Sequence, residues 1–457
     1  LLASVAVLAA ASWMVRPGPP ADPQPPPSSI VAPELDYAVC PWVISDDRTA
    51  AFLALTSVDQ GTAALVADLT FQAAGRAVAE HEVRLNSQGA LTVPVADLLQ
   101  QGVTPALVEV ADGRAAAGIV LTESPRLAAD TCIDTLPDVW LAPGGSTRTG
   151  ETLELLLVNP FAEDAVVRVM SASELGIDSS DALEALNVPA RSSLTVDLSA
   201  QLSLRDELAV TVATRQGLVV AAVRQVGESD AAVWSATAGA TEWYLAVPAA
   251  PVPASAAGPT TTGGGGATST SAAGTVDAGG TGVRRLALST DSALPVNVEI
   301  DVFGPEGQQD ALLVAEIPAG GQTVVPLDQV GATAFGLRVV AEAPVAAVLV
   351  IESETWRAAA AAPGLASRWL VPGVGTSGAG TDELWVLNPT AGDTTLQIRN
   401  LSTGETSEVA AAAGQVTRVP VPGGPGVEIR ASVDVSVMWT TTLEGSLALS
   451  GGVPVDG

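Results

Sequence analysis

A Trp followed by a few apolar residues, then Pro and small residues, recurs along the chain. It reads WLAPGG at Trp140, WYLAVPAA at Trp243 and WLVPGVG at Trp369, with a degenerate copy, CPWVIS, around Trp42. The copies stand roughly 100 residues apart, about the length of one small β-sandwich and twice that of a propeller blade. An internal period constrains the fold more than any single motif, because whatever one unit adopts the others must repeat.

Each unit then runs through the same order of elements. An apolar strand ends in a turn: LELLLVNP closes at Asn159-Pro160 and LWVLNP at Asn388-Pro389, while the first and third units offer FLALTSVD and RRLALSTD. A second strand alternates in period two, as at Val296, Val298 and Ile300 or Leu396 and Ile398, the signature of a half-buried strand. A polar-then-apolar phrase follows (LNSQGALTVPV, VPARSSLTVDL, IPAGGQTVVPL, AAAGQVTRVPV), and a hairpin over 207–226 or 336–353 closes the unit. Helix signals are confined to Ser180–Leu186, where Ser180 or Asp181 can cap a short helix. The expected class is all-β: tandem immunoglobulin-like sandwiches in a row after an N-terminal anchor helix, with a propeller-like ring of β units as the alternative. The expected boundaries are an anchor or signal segment at 1–16, a Pro-rich linker at 17–36, and sandwiches at 37–136, 137–240, 241–366 and 367–457. The third carries a Gly/Thr/Ser-rich insertion at 251–282. Placed at the same point of each repeat, Trp42, Trp140, Trp243 and Trp369 read as plugs of the core or of the joints between units, since large aromatics dominate burial energetics.

The N-terminal run LLASVAVLAAASWMV has no polar face, so it is a poor core helix. Followed by Arg16 and PGPPADPQPPPSS, it reads as an uncleaved signal anchor with an extended stalk. Cleavage at the small residues Ala9 and Ala11 is the alternative. Cys40 and Cys132 are the only cysteines, and an even count in an exported chain reads as one disulfide. The net charge is −30, and all 20 basic residues are Arg. Such a surface repels nucleic acid and anionic lipid heads, so the expected membrane attachment is the anchor alone. A Lys-free chain rich in Ala, Gly, Val and Arg fits a GC-rich, actinobacterial genome.

The lead segment, the Trp-x-x-Pro-Gly phrase at Trp140 and Trp369, and the Leu-Asn-Pro or Val-Asn-Pro strand ends at Asn159 and Asn388 resemble an actinobacterial envelope family known as domain of unknown function 5719. The resemblance covers nearly the whole chain. It implies a secreted or anchored location and carries over no catalytic residue.

Candidate chemistry is thin. His81 is the sole His; as a solvent-facing strand residue it has Glu80 and Glu82 on the opposite face, which leaves a Ser-His-Asp arrangement without its orienting acid. Gly375-Thr376-Ser377-Gly378-Ala379 departs from a nucleophile elbow in its last residue. The acids Asp46, Asp47, Glu163 and Asp164 fall at turns and do not mark a glycosidase pair. No Asp-x-Asp-x-Asp-Gly loop is present, so calcium is a weak possibility. Two thiols and one His cannot complete a Cys/His zinc site. Gly263–Gly266 lacks the Lys of a phosphate loop. The expectation is therefore a non-catalytic structural or interaction protein of the cell envelope with no cofactor, and with an envelope protein or glycan as partner. The alternatives are glycan binding through exposed Trp, or a cryptic secreted hydrolase.

Overall fold

Among the described residues an eight-stranded unit occurs four times, and each unit splits its strands, here a to h in chain order, between two antiparallel sheets. One sheet has the order a-f-c-d and the other e-b-g-h. In the second unit, strand a is Val139–Gly145, b Thr152–Asn159, c Ala165–Ser173, e Ser192–Asp197, f Leu208–Gln216, g Val220–Val226 and h Ala231–Ser235, with d reduced to Gly176–Asp178 and Leu186–Val188. The a strands of the others are Tyr37–Cys40, Ala240–Val247 and Ala366–Val371, and their h strands Arg126–Thr131, Arg357–Ala361 and Ser446–Gly451. The computed structural model describes residues 37–455 except 59–64, 74, 87–88, 100–101, 112–114, 179, 250–281, 354–356, 377–379 and 422. The expected anchor and Pro-rich linker, and all of the insertion but Gly282, lie outside the described residues. Among the described residues no helix is long and apolar enough to cross a membrane.

The two sheets differ in how they are covered. The e-b-g-h sheet is buried on both faces across its b, g and h strands: Leu155, Leu156, Leu157 and Val158 of one b strand are all sealed, as are Val220 to Val223 on its partner g. These segments read as continuous apolar runs because both faces meet protein. The a-f-c-d sheet keeps one wet face, and its c strands alternate, as in Val296, Val298 and Ile300 buried against Asn297 and Glu299 exposed.

Coverage on the second face comes from the neighbouring unit. In the fourth unit, Leu384 and Val386 join its own core, whereas Trp385 and Leu387 join the core of the third. Val120, Leu127 and Ala129 of the first unit join the core of the fourth. The four h strands meet at the centre, each against the next, and the fourth lies against the first. The sandwiches are thus not strung in a row; they close into the ring that was the second expectation. Ala-rich h strands such as RAAAA suit this centre, where small side chains let sheets approach closely.

Strand order also departs from an immunoglobulin domain, in which the sixth and seventh strands share one sheet. Here f and g belong to different sheets. The segments read as hairpins over 207–226 and 336–353 are crossovers, and in the third unit one strand, Phe335–Glu352, runs unbroken from one sheet into the other. Period-two alternation is blind to this, because a strand that changes sheet keeps its period. The expected helix at 180–186 shrinks to a 3-10 turn, Asp181–Leu183, whose Ser180 cap accepts from the Ala182 amide.

The repeated phrases acquire physical meaning at these crossovers. The indole N–H groups of Trp140, Trp243 and Trp369 donate to the carbonyls of Val219, Val345 and Val435, at 2.9, 2.7 and 3.0 Å. Each of those carbonyls sits where the chain passes from f to g. The Pro-Gly that follows serves the joint. Gly144 has φ +95°, and a Cβ there would stand 3.0 Å from Val350 of the third unit; Gly373 has φ +89° and would meet Val120 of the first at 3.1 Å. Only glycine permits both the conformation and the approach. The turn asparagines repeat as well. Asn159 donates to the carbonyls of Glu163 and Val188 and accepts from the Phe161 amide, and Asn388 makes the equivalent set with Gly392, Ala411 and Thr390.

Unit one breaks the pattern. Ala38 pairs with Val108 as Trp140, Trp243 and Trp369 pair with Val212, Val339 and Ile429, so Ala38 occupies the Trp position. Trp42 is buried but lies beyond the end of the strand, and its indole nitrogen has no hydrogen-bond partner among the described residues. Cys40 and Cys132 form a disulfide with 4.4 Å between Cα atoms. It ties the first strand of that unit to the segment just after its last, beside the Val39–Ile133 bridge.

Candidate functional site

Polar groups concentrate at the centre of the ring, where the first and third units begin their h strands with Arg. Arg126 pairs with Glu123 at 2.9 Å and donates to the carbonyl of Gly227 in the second unit at 2.8 Å. Arg357 is sealed from solvent. It pairs with Glu352 at 3.3 Å, donates to Ser146 Oγ at 3.2 Å and also donates to the carbonyl of Gly144, the joint glycine described above. Both guanidinium groups therefore latch onto unit two, one from each side. Around Arg357 the network extends through Gln225, which donates to Glu151 at 2.8 Å and accepts from the Ser146 amide. Arg148 and Arg285 also pair with Glu352. Burial pulls the Arg357 guanidinium down to about 10, with Glu151 opposing that fall. It stays charged at physiological pH, and so many converging acceptors suit a buried ion network that fixes geometry.

Asp130 lies near the far end of the first unit's h strand and is buried. Ser235 on the neighbouring h strand donates its hydroxyl to the Asp130 carboxylate at 2.7 Å, and the Thr131 amide donates at 2.9 Å. These hydrogen bonds, with a third from the Ser235 amide, do not offset the loss of water, and burial raises the Asp130 pKa to about 7. The Ser235 hydroxyl also lies 3.4 Å from the Thr131 carbonyl, so it has a second acceptor when Asp130 carries a proton. The sequence reading missed Asp130 and Arg357. The signal that could have found them is a charge bordering an Ala run on a strand (RLAADT, RAAAA), which places it among buried neighbours.

The singled-out residues scatter. His81 is half-buried rather than solvent-facing: its Nε2 lies 3.2 Å from the Leu98 carbonyl and its ring meets the Phe71 ring edge-on. Asp46 and Asp47, with Asp97, line an open cleft beside Leu98. The Asp46 carboxylate caps its own turn by accepting from the Arg48 and Thr49 amides, and Asp164 similarly accepts from the Ala190 amide. Gly375 lies in a turn, its amide donating to Asp382, while Ser377 falls outside the described residues. Among the described residues no group of three or more His, Cys, Asp or Glu is placed to hold a metal ion. Trp42, Trp140, Trp234, Trp369 and Trp439 are each no more than 2 % exposed, so their faces are not open to sugar rings.

The fold and its centre define a closed repeat protein of all-β units. Residues 99–357 match a family of unknown function, DUF5719, and the chain belongs to it. No curated protein matches the chain.

Proposed function

We propose that the chain is a non-catalytic scaffold on the extracytoplasmic side of an actinobacterial cell membrane, held by its N-terminal apolar segment and set off from it by the Pro-rich lead. The observation that carries this reading is the Cys40–Cys132 disulfide, a bond that persists in oxidising compartments and is rare in reducing ones. The acidic surface supports it, since strong like charge keeps an exported protein soluble. Support for a binding role over a catalytic one comes from where the landmark residues are spent: Trp, Gly and Asn hold crossovers, joints and turns. That leaves the wet faces and outer edges of the a-f-c-d sheets for a partner.

The test is thiol trapping and protease shaving of intact cells that produce the protein. The expected result is that both cysteines resist alkylation until reductant is added, and that external protease cuts the chain. Cysteines that alkylate without reductant in freshly quenched cells, or a chain shielded from protease until lysis, would sink the reading.

A further inference from the structure

We propose that strand d of the third unit, Gly307–Ile317, is a docking edge to which an extended segment of a partner protein, alternating apolar and basic side chains, adds as a further strand. This deepens the scaffold reading by naming its contact edge and the partner's chemistry.

An unpaired sheet edge offers a row of unmet N–H and C=O groups, and proteins ordinarily blunt such edges. The other units do so. In the first, strand d (Arg76–Leu85) exposes Val78, but flanks it with Arg76, Glu80, Glu82 and Arg84 turned outward, mixing both signs of charge. In the second, d is broken into two three-residue pieces. In the fourth, Thr406–Ala411 is six residues long and shows no large apolar side chain to solvent. At the opposite edge of the other sheet, three of the four e strands end in Pro (Pro94, Pro326 and Pro420).

Gly307–Ile317 breaks that rule. It runs for 11 residues, pairs only with strand c (Val296–Gly304) among the described strands, and exposes Leu312 and Val314, the latter at 70 %. A side-chain cover lies at its end, where Thr323 donates to the Glu316 carbonyl. A bulge at Ala311 (φ +46°), whose amide donates to Asp301, sets where regular pairing begins. From Leu312 onward the outward side chains alternate cleanly. An added strand gains affinity from main-chain hydrogen bonds and specificity from alternate side chains.

Charge selects the occupant. Val314 stands opposite Glu299 in the register, and Glu306, Asp310 and Glu316 are exposed along the same edge, with no basic residue in Gly307–Ile317. A second copy would bring the same carboxylates against these in a molecule already at −30. A segment with Arg or Lys at every other position would instead lay its cations on the wet face, near Glu316 and Glu299 with their stems over Leu312 and Val314, and turn its apolar residues to the inner face beside Leu313 and Ile317.

The test uses the purified full chain and a synthetic seven-residue peptide of alternating Val and Arg. A control peptide has the same Arg content and with Pro in place of the two central Val residues. Backbone hydrogen exchange is read along the chain. The expected result is at least tenfold slowing of amides within 308–316 by the first peptide alone, abolished by Val314→Pro. Val314→Lys, which leaves an exposed site exposed and keeps the fold, should weaken binding about tenfold. Equal protection by the control peptide would reduce the effect to charge alone and overturn the proposal. So would slowing at 76–85 in place of 308–316. Concentration-dependent dimerisation that protects 308–316 without peptide, and disappears in Val314→Lys, would assign the edge to a second copy and also overturn it. None of these outcomes bears on thiol state or protease access in cells, so the two readings fail separately.

Discussion

The two sheets of each unit have nearly the same strand count and opposite surroundings. The e-b-g-h sheet is filled with Leu, Val and Ala on both faces, whereas the a-f-c-d sheet alternates apolar with Glu, Asn, Arg and Gln. Within a single sandwich this asymmetry would be costly, since one face of the first sheet would expose a wall of Leu and Val to water. It becomes sensible only when another unit covers that wall. Apolar residues on the second face of the b strands are therefore the sequence's record of the ring, as much as those on the first face are its record of the sandwich.

Substitutions can break this comparison, beginning with the largest expected effect. Leu387→Ala removes a side chain that belongs to the fourth unit but packs in the core of the third, against Gly336. It should cost ~2–5 kcal/mol in chemical denaturation. A loss no larger than that of an exposed residue would show that the joint contributes little. Next comes pH. Asp130 has a folded pKa of about 7 against ~3.9 for an unfolded Asp. The folded state therefore binds the extra proton between these values. Its contribution is fully present below the unfolded pKa and is lost as pH rises through 7, at up to ~1.4 kcal/mol per pH unit. Asp130→Asn should flatten that slope between pH 4 and 7, and an unchanged slope would remove Asp130 as its source.

Gly144→Ala should destabilise by ~1–3 kcal/mol, through positive φ and overlap with Val350, and should loosen the second unit from the third before either melts. Amide exchange along Val139–Gly145 and Val283–Ser289 reads that directly. Trp369→Phe forfeits an indole hydrogen bond at a crossover and should cost ~1 kcal/mol beyond its lost volume. The smallest effect belongs to the wet face: Val314→Ala should shift stability by less than ~0.5 kcal/mol. A larger change would mean that the edge is already covered in solution.

Much of the all-β class was legible because alternation and turn chemistry are local. Asn159 and Asn388 announced their turns, and the Trp-x-x-Pro-Gly phrase marked the units. What stayed hidden was relational. Nothing near Leu387 says which unit it will face, and nothing in the third unit's 336–353 segment says that one strand serves two sheets. Trp42 misled because composition near Cys40 mimicked the phrase four residues out of register, with Ala38 holding the true position. Asp130 carried no mark at all, since its burial beside Ser235 depends on a strand a hundred residues away.

Closure of the ring has a consequence for how the chain matures. Synthesis delivers the first unit long before the fourth, whose Trp369-to-Ser450 stretch supplies the cover for Val120, Leu127 and Ala129. Until that last stretch arrives, the nascent protein carries a sticky flank, and loss of its final hairpin would leave an apolar gap on the first unit as well as in the fourth.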